Sequence, residues 1–177
     1  ALVPHLLEQA HGLRPERSRS WEVGVEQEVV AGRLSVGATW FDQQFTDLVE
    51  YTFAPAPPDT VNYFNVGGAR ADGLEVSVTG MPTAGLRATV GYTYLATRVT
   101  DPGFDPGPGT TLAAGERLLR RPAHAGFARL TWAPGRLTAG VEARYVGERD
   151  DLDFTSFPFT RVAVAPYALV GLSAALD

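Results

Sequence analysis

The sequence predicts an all-β fold, an antiparallel up-and-down transmembrane β-barrel segment, and three observations carry that expectation. Apolar and polar residues alternate with period two along most of the 177 residues, the signature of strands with one oily and one wet face. The connections alternate in length, so one end of the sheet is tight and the other elaborate. Trp, Tyr and Phe gather near strand ends, where a barrel places its aromatic girdles. Parity alone leaves a soluble β-sandwich open, because its buried face also alternates with a polar one.

Taken in order, the first element is a short helix near Val3 to Gln9. Ser18 to Val30 then sets Trp21, Val23, Val25 and Val29 against Glu22, Gly24, Glu26 and Glu28. Past Ala31 and Gly32, Leu34, Val36, Ala38 and Trp40 continue the oily face, and a bulge is expected near Asp42, where parity becomes ambiguous. Leu74, Val76 and Val78 oppose Glu75, Ser77 and Thr79; after a turn over Gly80 to Gly85, Leu86, Ala88, Val90, Tyr92 and Tyr94 oppose Arg87, Thr89, Gly91 and Thr93. Ala128, Leu130 and Trp132 alternate with Phe127, Arg129 and Thr131, and Leu137 to Tyr145 repeats the pattern with Glu142 and Arg144 on its wet side. Ala168, Val170, Leu172, Ala174 and Leu176 close a series of about seven strands. Short turns fall near residues 31, 82 and 134, and long segments near 52 to 62, 98 to 122 and 147 to 164.

Composition excludes several classes of function. The formal net charge is −5, from 20 acidic and 15 basic residues spread along the chain. No basic stripe exists to neutralise phosphates, so nucleic acid is not an expected partner. Every basic residue is Arg, which removes a P-loop or Schiff-base lysine. Cysteine is absent, and the three histidines, His5, His11 and His124, are scattered. That removes disulfides, Cys-type zinc sites and thiol catalysis. With no GxSxG, HExxH, Walker A or GxGxxG motif either, neither an enzyme nor a cofactor is expected. No apolar run reaches the roughly 18 residues of a spanning helix; Pro166 and Gly171 interrupt the longest candidate, Ala163 to Leu176. The first residues lack a signal peptide's basic n-region, so the chain reads as a piece of something longer.

On the wet parity, Glu22, Glu26, Glu28, Glu75, Arg87, Arg129, Glu142 and Arg144 are candidates to line a polar lumen, as ion pairs or water-bound groups. Trp21, Trp40, Trp132, Tyr92, Tyr94 and Tyr145 could stack on a ligand, but on the oily parity they read rather as interfacial girdles. Asp150, Asp151 and Asp153 are weak calcium candidates, since carboxylate oxygens suit the ion but the spacing of an EF-hand is missing. Arg120, Arg121 and Pro122 precede a strand on the long-loop side, a setting that suits contact with lipopolysaccharide phosphates and a solvated strand entry equally well.

Several stretches resemble one known family. LRPERSRSWEVGVEQ (Leu13 to Gln27), TDLVEY (Thr46 to Tyr51), NVGGARADGLEV (Asn65 to Val76), GYTYLATRVTD (Gly91 to Asp101), LLRRP (Leu118 to Pro122) and YVGERDDLDF (Tyr145 to Phe154) are similar to the C-terminal half of the barrel of TonB-dependent outer-membrane receptors. The pattern Asn65, Gly67, Ala69, Gly73, Glu75 is especially specific. Its alternate spacing puts these groups on one face, and Gly73 admits a close neighbour where a Cβ would clash. YVGERDDLDF, with SFPFTRV and PYALVGL after it, is most similar to the vitamin B12 (cobalamin) receptor branch.

The resemblance implies a barrel of about 22 strands around a plug, in the outer membrane of a Gram-negative bacterium, importing a scarce nutrient with energy delivered by TonB. Its expected partners are outer-membrane lipid and lipopolysaccharide, its own plug domain and through it TonB, and a small-molecule ligand, a corrinoid or an iron chelate. The sequence holds no plug, TonB box or terminal aromatic strand, so residues 1–177 are expected to be one partial barrel domain. Ligand contact is expected from the long-loop end, with Tyr51, Phe53, Arg98, Asp101, Arg149 and Phe154 as candidates. The rival readings are a siderophore or haem receptor, an outer-membrane barrel hydrolase using His124, and a soluble β-sandwich binding module.

Overall fold

Residues 13–51, 63–102, 113–155 and 159–176 are described by a computed structural model. The helix expected near Val3 to Gln9, and Phe53, lie outside them. Seven antiparallel strands form one meandering sheet: β1 (Arg17–Val30), β2 (Leu34–Tyr51), β3 (Tyr63–Thr83), β4 (Leu86–Asp101), β5 (His124–Trp132), β6 (Leu137–Val146) and, past an excursion, β9 (Tyr167–Leu176). The excursion is a separate hairpin of β7 (Arg149–Asp153) and β8 (Thr160–Val164). The seven-strand expectation holds for the wall. The hairpin is not legible in the sequence, because five-residue strands are too short to display a period.

Each short turn carries a glycine with positive φ: Gly32 at 64°, Gly85 at 77° and Gly135 at 68°. A side chain there would meet the left-handed penalty, so these positions set the turns. From the turns the strands rise to unequal heights. β5, β6 and β9 have 9, 10 and 10 residues, the length that crosses a bilayer when tilted. β2, β3 and β4 have 18, 21 and 16, and their upper halves must extend beyond it.

The bulge expected near Asp42 is absent, since Asp42 pairs in register with Trp21 and Asp72. What changes there is the chemistry of the faces. Below, the outer face holds Val36, Ala38 and Trp40 of β2, Leu74, Val76 and Val78 of β3, and Val90, Tyr92 and Tyr94 of β4. Above, the same face holds Asp42, Gln44, Asp72, Arg70 and Arg98, while Phe41, Phe45, Ala69, Ala71 and Val99 occupy the inner face. An inversion of the pattern looks in sequence like a slip of parity, but the backbone runs on without one. The real irregularity is at Asp47, whose φ is 59°.

Apolar side chains of the lower wall stand exposed, Val25 at 65% and Leu172 at 83%. In water such a face forfeits about 25 cal/mol per Å²; in hydrocarbon it does not. Among the described residues a small core forms in the upper part, where Ala69, Ala71 and Val99 are buried and Leu48 and Leu118 pack against Val99.

Candidate functional site

The eight charged residues read as lumen candidates share one face. Register carries Glu26 through Gly37, Ser77, Gly91 and Phe127 to Arg144, and Glu28 through Ser35, Thr79, Thr89 and Arg129 to Glu142. Glu22, Glu75 and Arg87 fall on the same face through Phe41, Thr39 and Thr131. Directly opposed residues of an antiparallel pair meet on one side. Accordingly, Arg129 donates from Nη2 to Glu142 Oε2 at 2.5 Å, and Arg144 Nε reaches Glu142 Oε1 at 3.0 Å. Two aromatic rings close over glycines on this polar face. Phe127 covers Gly91 and Phe41 covers Gly73, where an added Cβ would also collide with the Tyr94 carbonyl oxygen. That is the close approach expected of Gly73.

On the outer face the apolar band ends in an aromatic rim. The Tyr92 hydroxyl lies 2.7 Å from His124 Nδ1, and the Tyr94 ring packs on His124 at 5.4 Å. His124 is thereby engaged with two tyrosines on the oily side of the wall. Immediately above, Arg70 Nε donates to the buried Asp42 at 2.8 Å. The Arg19 guanidinium stacks 5.1 Å from the Trp21 ring.

The family-specific stretches meet at the top of the sheet. Asn65 accepts a hydrogen bond from Arg14 N–H at 2.8 Å and donates to the Arg14 and Asp47 carbonyls at 2.9 and 2.6 Å. Glu16 accepts from Val49 N–H at 2.8 Å. Arg14, Asp47 and Glu16 are functional in this clasp, yet their roles are not visible in sequence, because the partners lie 33 and 51 positions apart.

Above Tyr94, β4 loses β5 as its neighbour and residues 113–123 take the place. Leu95 N–H bonds to Ala123 O at 2.9 Å, Val99 N–H to Glu116 O at 2.8 Å, and Leu118 N–H to Thr97 Oγ1 at 3.1 Å. The β7–β8 hairpin docks on the far side of this segment. Arg161 is its fastener, donating to Arg117 O at 3.0 Å and Asp150 at 2.9 Å and pairing with Glu116 at 2.8 Å. Arg120, at φ 59°, turns its N–H to Asp150 O at 2.7 Å and its Nε to Asp151 at 2.9 Å.

The three aspartates read as weak calcium candidates each have a protein partner. Asp150 faces Arg161, Asp151 faces Arg120, and Asp153 accepts from Thr155 Oγ1 at 2.6 Å. Among the described residues no group of three or more His, Cys, Asp or Glu converges as a metal site. Guanidinium and hydroxyl partners already hold these oxygens. The Leu152 N–H and then Arg120 hold the Asp151 carboxyl below its ordinary range, and the Thr155 hydroxyl and N–H do so for Asp153. Arg120 is thus turned toward the hairpin rather than outward.

Among the described residues the ligand candidates have different neighbours. Tyr51 ends β2 opposite Tyr63. The Asp101 carboxyl lies where a Gly67 side chain would be. Arg149 stacks over Tyr167 at 5.6 Å, and its buried Nη1 has no hydrogen-bond partner among the described residues, so the ring face meets the charge. Phe154 packs edge-on against Phe159 at 5.1 Å, below Arg120. Arg98 is opposite Arg70 on the outer face of β4.

An apolar band, an aromatic rim, a polar opposite face and a built-up loop end define the wall of an outer-membrane β-barrel. A family model described as "TonB dependent receptor-like, beta-barrel" matches residues 7–177, and the chain belongs to that family of Gram-negative outer-membrane transport receptors. It is similar to the ferripyoverdine receptor of the outer membrane of Pseudomonas aeruginosa, with TM-score 0.67 and 22% identity over 92% of this chain and 21% of that one. It also resembles the FrpB iron transporter of Neisseria meningitidis (TM-score 0.69, 20% identity, 94% and 25% covered). A third similar structure is the ferric-catecholate import receptor Fiu of E. coli K12 (TM-score 0.61, 23% identity, 89% and 21% covered). The chain therefore spans between 21% and 25% of these receptors' lengths.

Proposed function

We propose that this chain is part of the C-terminal barrel wall of a TonB-dependent receptor that imports a scarce nutrient too large to diffuse through a pore. Its polar face lines the lumen and meets the receptor's own plug, which TonB engages. The observation that carries this is the inversion of the faces at Asp42, Asp72 and Arg98, which marks where a tall wall leaves the membrane. Loops on a rigid scaffold carry recognition, which supports ligand contact by Arg149 and Phe154 of the fastened hairpin and by Asp101 and Tyr51 at the strand ends. The first reading of the ligand is a corrinoid, supported by the stretch Tyr145 to Phe154. A ferric chelate is the second, favoured by the similarity to receptors named for ferripyoverdine and ferric catecholate. Titrating cyanocobalamin and a ferric siderophore against the purified full-length receptor decides between them. Saturable cobalamin binding that weakens when Gly147 to Arg161 is shortened supports the corrinoid reading; siderophore binding alone replaces it.

A further inference from the structure

Near the short-turn end, the outer face of the wall is dented. Gly80 lies beside Leu34 on one strand and Ala88 on the other, so two adjacent positions of a bulky apolar face carry almost no side chain. Leu34, Val78, Met81 and Val90 stand around the gap, and the apolar groove they enclose measures about 400 Å³. A register shift between Gly80 and Thr83 lets Met81 N–H donate to the Arg33 carbonyl at 2.7 Å. This bond ties the β1–β2 turn to the groove and sets Arg33 among its lining residues. Among the described residues the exposed Arg33 guanidinium has no ion-pair partner; the nearby Glu28 carboxylate is turned to Gly32 N–H instead.

We infer that this groove seats an acyl chain of a glycerophospholipid of the periplasmic leaflet, with Arg33 holding its phosphate. The inference rests on the oily face being the lipid face. An apolar slot with one unpaired guanidinium at its mouth complements a lipid with an anionic phosphodiester above its tails. Short turns lie at the periplasmic end of an outer-membrane barrel, so the phospholipid leaflet, not the lipopolysaccharide leaflet, is in reach.

The test uses the full-length receptor in detergent, titrated by native mass spectrometry with phosphatidylglycerol and with diacylglycerol of the same chains. Arg33→Gln should weaken phosphatidylglycerol retention about fivefold and leave diacylglycerol unchanged. Ala88→Phe should fill the groove and weaken both; if it blocks assembly, Gly80→Leu replaces it. Unaltered retention of both lipids, in variants whose heat-modifiable mobility shows a native barrel, overturns the site while leaving the receptor reading intact. Normal assembly of Val141→Arg together with failure of Glu142→Arg would overturn the lipid face itself.

Discussion

Two regimes meet within the single strand β4, at Tyr94. Below it, Val90 and Tyr92 face outward at 47% and 42% exposure, between neighbours joined by short turns. Above it, the outward residue is Arg98 and the inward Val99 is fully buried. One strand can therefore be inside-out at its base and conventionally packed at its top, because lipid surrounds the first part and water the second. The base is held by backbone pairing and apolar solvation. The top is held by ion pairs and hydrogen bonds between residues far apart in sequence.

The largest effect that separates these regimes is a charge on the lipid face. Val141→Arg should cost roughly 2 to 4 kcal/mol in the full-length barrel and impair assembly, read as lost heat-modifiable mobility. Its neighbour Glu142→Arg breaks the pairs with Arg129 and Arg144 but leaves the charge on the polar face, and assembly should stay near normal. Equal tolerance would erase the distinction between faces.

Next comes the glycine contrast within the wall. At Gly73 a methyl would meet the Tyr94 carbonyl oxygen, which is backbone and cannot rotate away. Gly73→Ala should cost about 1 to 3 kcal/mol in denaturant unfolding. At Gly91 the obstacle is the Phe127 ring, which can swing aside, so Gly91→Ala should cost less than about 1 kcal/mol. A reversed order would mean that the rings, not the backbone, set strand spacing.

A smaller, local effect is expected at the loop end. Arg161→Met leaves Asp150, Glu116 and the Arg117 carbonyl without their common donor. Hydrogen exchange in residues 113–123 and β7 should quicken about tenfold, while assembly of the wall is unchanged. Slowed or unchanged exchange would show that the hairpin docks by other means.

The smallest effect is acid sensitivity. Asp151 and Asp153 have folded pKa values below their ordinary ones, so their contribution is complete above the unfolded carboxylate value of about 3.9. It is lost as the pH falls through the lowered values. Exchange protection of β7 should therefore be flat between about pH 5 and 7 and decline only below about pH 4. Arg120→Gln should move the onset upward.

The lower wall was legible in the sequence because its determinants are local: Trp21, Val23 and Val25 against Glu22 and Glu26 already state which side is which. The three short turns announce themselves through Gly32, Gly85 and Gly135. At Asp42 local reading fails, since a reversal of solvent has no backbone signature and looks like a bulge. Arg161 is still less visible, because Glu116 and Asp150 acquire meaning only once residues 113–123 and the hairpin lie side by side. The same cause hides the partners of Asp150 and Asp151, since Arg161 and Arg120 meet them only once the hairpin is docked.

The Asn65 clasp bears on how this sheet avoids a folding error. Sliding β1 by one residue against β2 would carry Glu22, Glu26 and Glu28 to the lipid side. The turn at Gly32 guards one end of that hairpin against the error. At the other end, Asn65 reaches Arg14 and Asp47 only in the correct alignment, and a slipped strand would leave its amide and the Arg14 backbone unpaired. A polar side chain at the water-exposed end thus acts as a proofreading latch for a strand whose membrane part contains no polar lock of its own.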